Sequence, residues 1–107
     1  MVIKLIMISK MLSQLLYSVV KTGLIGLTLY LAAYLADKNV RCNAMCPGAV
    51  KNERLSEEFI KTLSERIPMG RLAESNEYQS TLLWMLSDSS SYLNGAIIPI
   101  DGGRTSW

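Results

Sequence analysis

Tyr17 and Lys21 are four residues apart in a 107-residue sequence that contains no histidine. On an α-helix, residues with this spacing lie on one face, so the ammonium comes within reach of the phenol. A nearby ammonium stabilises the phenolate and lowers the pKa of a phenol from about 10. Such a phenol can exchange a proton with a substrate alcohol or carbonyl as a general acid or base. The same spacing also arises often by chance. In that case the lysine is solvated, the tyrosine is packed beside it, and neither has a catalytic role.

The composition excludes several other kinds of site. Without histidine there is no histidine-based zinc site, no Ser-His-Asp triad and no imidazole proton shuttle, and no metal site is predicted. The net charge is +2 and no basic run occurs, so no nucleic-acid partner is expected. Cys42 and Cys46 lack the spacing of a redox motif and are interpreted as buried free thiols, which favours a reducing, cytoplasmic location.

The elements that must position the tyrosine and the lysine alternate between helices and strands. We predict the order helix, strand, helix, helix, strand, at about residues 13–37, 40–46, 50–67, 77–86 and 96–100. Ser75 is the expected N-cap of the last helix. Strands separated by helices pair in parallel in an α/β layer. Because two strands make a poor sheet, the pattern is typical of the end of a larger domain.

The first predicted helix is apolar on nearly all faces. Residues 22–36 carry no charge, and a membrane-spanning helix needs about 20 predominantly apolar residues. Lys21 would lie near the middle of any longer span, at a cost of about 2.5–3.5 kcal/mol. The composition therefore favours a helix buried on most faces over a membrane span. Gly23 and Gly26 indicate close backbone packing at this helix.

Five motifs follow one another in a distinctive order. They are YSVVK at 17–21, VRCNAMCPGAV at 40–50, IPMGRL at 67–72, LSDSSSYLNG at 86–95 and IPIDGG at 98–103. Together they resemble the C-terminal half of a short-chain dehydrogenase/reductase, over residues 17–107. Residues 1–16 do not match and are interpreted as a truncated or divergent start. The resemblance implies a partial Rossmann-like, doubly wound α/β fold that lacks the N-terminal dinucleotide-binding half.

The resemblance also implies roles for individual residues. Tyr17 matches the catalytic acid/base of the family. Lys21 matches the lysine that lowers the pKa of that tyrosine and binds the nicotinamide ribose. Pro47 and Gly48 match the loop whose backbone passes the nicotinamide, and Val50 matches a position whose backbone contacts the carboxamide.

The lid and the serine of the family are matched less well. Asn52 stands where the family often has a threonine that touches the cofactor, and residues 51–67 correspond to the lid over the substrate. Ser9 and Ser13 lie near the expected catalytic serine, but a helical serine differs in geometry from one held on a strand. The glycine-rich dinucleotide loop has no counterpart in the 107 residues.

The implied activity is hydride transfer between NAD or NADP and a small-molecule carbonyl or alcohol, with the isolated chain expected to be inactive. The alternative is a non-catalytic interaction module left from a truncated dehydrogenase. In both cases, the resemblance implies a homo-oligomer that forms through helix 16–36. Neither of these two interpretations involves a membrane partner. A small membrane-associated protein is a third, less favoured interpretation.

Overall fold

The centre of the fold is a two-stranded parallel sheet, in a computed structural model that describes residues 2–106 and the side chains of residues 12–106. Strand β1 is Ala44–Pro47 and strand β2 is Ile97–Ile100. Ala44 lies opposite Ile97 and Pro47 opposite Ile100. The predicted parallel pairing is therefore confirmed, although β1 begins four residues later than expected.

Helix α1 spans Val2–Tyr34, so it begins earlier than the predicted Ser13 and ends before Asp37. A short 3-10 helix, Ala36–Lys38, follows it and ends at Asn39, which has a left-handed φ of 56°. At 1.5 Å per residue, the 33 residues of α1 extend about 50 Å. The helix is therefore several times longer than the four-residue strands.

Most of the described part of α1 is exposed. Among its described side chains, those of Thr28 and Ala32 are buried. The exposed apolar side chains are those of Leu12, Leu15, Leu16, Tyr17, Val19, Val20, Leu24, Ile25, Leu27, Leu29, Tyr30 and Tyr34. No atom lies within 4 Å of a Cβ built on Gly23 or Gly26, so the close packing expected there is not formed within the described chain.

The apolar character of α1 also bears on the membrane interpretation. The segment Leu12–Tyr34 is long and apolar enough to cross a membrane by length and composition alone. Core helices of soluble proteins and signal sequences meet the same criteria. A full domain of the kind the sequence resembles would supply further layers to cover such a helix.

Asn94 joins the end of α1 to the sheet. Its Nδ2 donates a hydrogen bond of 2.8 Å to the carbonyl of Ala32, and its Oδ1 accepts one of 2.9 Å from the amide of Cys42. The neighbouring Gly95, at a φ of 76°, donates its amide to the carbonyl of Cys42. A Cβ at Gly95 would come within 3.4 Å of the Ala32 Cβ, so the turn passes close against the helix.

Two further side chains hold the entry to β1. Asn43 donates to the carbonyl of Leu93 and accepts from the amide of Ala96, so it serves the fold by joining the entries of the two strands. The Arg41 guanidinium donates to the carbonyls of Met85, Ser87 and Leu93. Because the last carbonyls of a helix lack partners within it, this cation stabilises the end of the helix that precedes β2.

Helices α2 and α3 are shorter than predicted. Helix α2 is Glu57–Ser64, and Ser56 is its N-cap. It begins later than predicted because the residues after Val50 are extended or in turns rather than helical. Helix α3 is Gln79–Leu86 and follows a 3-10 turn, Ser75–Tyr78. Ser75 is therefore not the N-cap of α3. The amide of Glu74, just before the 3-10 turn, donates a hydrogen bond to the carboxylate of Glu77.

Helix α3 is only partly buried. Its Met85 is buried, whereas Leu82, Leu83 and Leu86 are exposed. Within the described chain, nothing covers the outer side of this helix at those three positions. Among residues 12–106, the buried apolar core comprises five residues: Ala32, Ile67, Leu72, Tyr78 and Met85.

Replacement of Asn94 tests how α1 is held. Asn94→Ala removes bonds to both Ala32 and Cys42, and we expect a loss of about 1–3 kcal/mol in the free energy of unfolding. Urea denaturation followed by circular dichroism measures the loss. Asn76→Ala is the control, because the exposed Asn76 side chain makes no hydrogen bond among the described residues. Equal stability of the two variants would contradict this role for Asn94.

Candidate active site

The loops that follow β1 and β2 meet at the carboxyl edge of the sheet. The amide of Gly48, after β1, donates a bond of 2.8 Å to the carbonyl of Ile100, at the end of β2. A Cβ at Gly48 would lie 2.7 Å from the Cα of Asp101, so a side chain there would force the two loops apart. In open α/β sheets, ligands bind outside the carboxyl ends of the strands.

An open groove runs along this edge. Its lining residues are Cys46, Pro47, Gly48, Ala49, Pro99, Asp101, Arg104 and Thr105. Two of the predicted cofactor-binding residues, Pro47 and Gly48, are thus part of one concave surface. Arg104 and Thr105 lie just beyond the IPIDGG motif, in the loop after β2, and neither was predicted as a site residue.

Asp101 organises that second loop. Its carboxylate accepts hydrogen bonds from the Thr105 hydroxyl at 2.7 Å and from the amides of Gly103 and Thr105 at 3.0 Å. The Thr105 hydroxyl, followed by these backbone amides, lowers the pKa of the Asp101 carboxyl. Gly102 and Gly103, at φ values of 65° and 87°, allow the chain to turn around the carboxylate.

Val50 lies in a short extended segment that pairs with Ala73. The amide of Ala73 donates to the carbonyl of Ala49 at 2.9 Å, and the amide of Lys51 donates to the carbonyl of Ala73 at 2.8 Å. Because backbone polar groups alternate in direction along an extended chain, the amide and carbonyl of Val50 point away from Ala73. Within the described chain, neither group of Val50 is hydrogen-bonded to protein.

Asn52 does not line the groove and lies in the segment that follows Val50. Its Oδ1 accepts a hydrogen bond of 3.0 Å from the amide of Arg54, which closes a tight turn before α2. The side chain is exposed. Asn52 therefore belongs to this turn and is separate from the groove that Pro47 and Gly48 line.

Tyr17 and Lys21 lie together on α1. The Nζ of Lys21 is 5.4 Å from the centroid of the Tyr17 ring. Tyr17 is 65% exposed, on the uncovered part of the helix. The structure thus brings this predicted pair together but does not bring it to the groove beside Pro47 and Gly48.

Of the two serines considered, one is described. Because α1 extends past Ser13, this exposed serine shares a helix face with Tyr17 and Lys21, at intervals of four residues. The side chain of Ser9 lies outside the described residues.

Arg71 and Glu77 form an ion pair on either side of Ala73, the residue that pairs with Val50. Both guanidinium Nη atoms donate to the carboxylate, each at 2.7 Å. The pKa of Glu77 falls to about 2, first because of the hydrogen bond from Arg71 and then because of the one from the amide of Glu74. No helical or strand periodicity relates positions six apart across a turn, so the sequence analysis did not find this pair.

Comparison with known proteins identifies the family of the chain. A family model described as enoyl-(acyl carrier protein) reductase matches residues 5–105. The chain belongs to the short-chain dehydrogenase/reductase family. The partial Rossmann-like fold inferred from the motifs is thereby confirmed.

Relatives in sequence and in structure agree with this assignment. The 3-oxoacyl-acyl-carrier-protein reductase of Thermotoga maritima is 41% identical over 90 residues, which are 81% of this chain and 37% of that protein. A short-chain dehydrogenase of Francisella tularensis superposes with a TM-score of 0.79 at 30% identity, over 85% of this chain and 43% of that one.

One solved relative was crystallised with a cofactor. This Agrobacterium tumefaciens protein, with bound NADP, has a TM-score of 0.77 at 32% identity, and the match covers 85% of this chain and 39% of that one. The chain thus spans about 40% of the length of these dehydrogenases.

Gly48→Ala tests the contact between the two loops. The new Cβ would clash with the Asp101 backbone, and we expect a loss of about 1–3 kcal/mol in the free energy of unfolding. Gly23→Ala is the control, because nothing lies within 4 Å and a helical alanine is favoured by about 1 kcal/mol. Denaturation of both variants in urea measures the difference. An unchanged stability of Gly48→Ala would show that the loops separate freely.

Proposed function

We propose that this chain forms the C-terminal, nicotinamide-side part of an NAD(P)-dependent oxidoreductase that acts on a small-molecule carbonyl or alcohol. The observation that carries the proposal is the Val50 backbone. Its amide and carbonyl lack protein partners within the described chain and belong to the segment that follows the carboxyl-edge loop. A nicotinamide carboxamide has one donor group and one acceptor group, so it complements this pair.

The residues present fit part of a dinucleotide. Pro47 and Gly48 provide a backbone surface without bulky side chains beside the groove. Lys21 does not line this groove in the described chain, and we propose that it provides a cation for a ribose hydroxyl once the rest of the domain is present. The pyrophosphate of a dinucleotide is usually held by a glycine-rich turn, which the 107 residues lack. We therefore expect reduction to require the other half of the domain, where that turn resides.

Tyr17 is proposed as the general acid in the direction of reduction. The chemistry that a nicotinamide cofactor would supply, when bound, is the hydride for the carbonyl carbon. The Tyr17 hydroxyl donates its proton to the carbonyl oxygen, which becomes the alcohol oxygen. The Lys21 ammonium, held over the ring, stabilises the negative charge that remains on the phenol until solvent returns a proton.

The lid would select the substrate. Residues 51–67 leave the carboxyl edge at Val50 and include the short helix α2, whose Phe59 is exposed. The thiols of Cys42 and Cys46 are both free, as expected, but they are partly exposed rather than buried. Free thiols are typical of a reducing, cytoplasmic compartment, which we propose for this chain.

Tyr17→Phe tests the acid/base assignment. The assay uses the chain fused to the N-terminal part of the Thermotoga maritima reductase that it does not cover, with NADPH or NADH and a 3-oxoacyl thioester. We expect the variant to lose about 100-fold or more in turnover, because the proton donor is removed. Absorbance of the reduced nicotinamide at 340 nm measures turnover.

Tyr30→Phe is the matched control, since Tyr30 is an equally exposed tyrosine of α1. It should keep wild-type turnover, and circular dichroism should show that all the fusions fold alike. Full activity of Tyr17→Phe would refute the assignment. An inactive wild-type fusion that folds would count against the proposed enzyme itself.

The exposed apolar surface of α1 supports a second candidate, a non-catalytic module that associates through helix 16–36. Soluble monomers rarely expose apolar patches larger than a few hundred Å². A second copy would cover this surface, and association of this kind is compatible with the enzymatic proposal.

Gly26→Leu tests association through α1. If the helices of two copies approach closely at Gly26, leucine there should shift the chain towards monomer in analytical ultracentrifugation, whereas Gly26→Ala should shift it less. An unchanged sedimentation profile would contradict the helix interface. A chain that sediments as a defined oligomer without detergent would also exclude the membrane-associated interpretation.

A further inference from the structure

The lid segment is closed at its base by backbone pairing. We use the name lid base for Ala49–Lys51 together with Ala73, which are joined by the two hydrogen bonds described above. Residues 52–72 leave and return through this base. The direction of the Val50 amide and carbonyl therefore depends on whether Ala73 stays paired.

Arg71 and Glu77 hold the return strand of the lid base in place. Besides the two bonds to Glu77, Arg71 donates from its Nη1 to the carbonyl of Leu72 at 3.1 Å. Glu77 in turn accepts from the amide of Glu74 at 2.8 Å. The ion pair thus binds backbone groups on both sides of Ala73.

We propose that Arg71 and Glu77 are positioning residues that keep Ala73 paired and so fix the direction of the Val50 backbone towards the nicotinamide. The proposal rests on the proposed function for the identity of the ligand. Its structural part concerns only the pairing within the lid base and can be tested without any cofactor.

The geometry of the pair matters more than its charge. Exposed ion pairs contribute little to stability, and the side chains of Arg71 and Glu77 are about half exposed. Two parallel bonds from one guanidinium fix the relative orientation of the two groups, which a single lysine contact does not. Arg71→Lys keeps the charge and loses the parallel bonds, so it separates geometry from electrostatics.

A second ion pair provides a matched control. Lys51 and Glu74 join the same two segments, but through a single contact of 3.6 Å between side chains that are 56% and 60% exposed. Lys51→Gln removes this contact and leaves the Arg71–Glu77 pair intact. If charge alone held the lid base, breaking either pair would have similar effects.

Hydrogen exchange of the 107-residue chain, read by NMR or mass spectrometry, is the first test. We expect Arg71→Lys and Glu77→Gln each to lower the protection factor of the Ala73 amide by about tenfold or more. The Gly48 amide, bonded to Ile100 in the sheet, should keep its protection. Lys51→Gln should leave both amides as in the wild type.

Either of two results would overturn the proposal. One is an unchanged Ala73 amide in both variants. The other is an equal loss of protection at Ala73 and Gly48, which would mean a general loss of stability rather than a local opening of the lid base.

Cofactor binding is the second test and uses the fusion described above. We expect Arg71→Lys to weaken NADPH binding about tenfold, read from nicotinamide fluorescence, and to leave kcat at saturating NADPH close to that of the wild type. Unaltered affinity together with an opened lid base would refute the link to Val50. If the folded wild-type fusion binds neither NADPH nor NADH, the proposed function fails, and the exchange experiment still decides the role of the ion pair in the lid base.

Discussion

The parallel pairing of β1 and β2 is the constraint on which the rest of the structure depends. Parallel strands end at the same edge, so the loops after Pro47 and Ile100 are brought side by side. Their contact is so close that Gly48 has no room for a side chain against Asp101. The groove, the turn around Asp101 and the extended segment at Val50 all follow from this arrangement. At the amino ends of the strands, Asn94 binds helix α1 and Arg41 binds the end of helix α3, while Asn43 binds the turn that leads into β2.

The candidate site uses backbone groups as much as side chains. Val50 presents a backbone amide and a carbonyl. Gly48 has no side chain to block the groove, and Pro47 forms a rigid part of its surface. Such groups are useful only when the chain holds them in one direction. Pairing with Ala73 provides that direction within the lid base, and Arg71 and Glu77 hold the paired strand. In the proposed site, the orientation of the ligand would therefore depend partly on residues, such as Arg71 and Glu77, that need not touch it.

Helix α1 carries the tyrosine and lysine but is held to the described chain near one end. Thr28 and Ala32 are buried, and Asn94 binds the Ala32 carbonyl, while Tyr17 lies 15 residues earlier on an exposed surface. The chain spans about 40% of the length of its dehydrogenase relatives. Layers from the rest of such a domain, or from a second copy, would cover the apolar faces of α1. The exposure of α1 is therefore compatible with both the enzymatic proposal and the interaction module.

The sequence by itself determined the family, the order of elements and the parallel pairing, because these follow from motif order and local hydrophobic pattern. It also predicted that Tyr17 and Lys21 lie together, since helical periodicity decides contacts four residues apart. Element boundaries were less accurate: an extended segment and turns replaced the start of the second helix, and Ser75 was not an N-cap. The Val50–Ala73 pairing, the close contact between Gly48 and Asp101 and the Arg71–Glu77 ion pair required the tertiary structure. Each joins residues that no local period relates, and each depends on where turns return the chain.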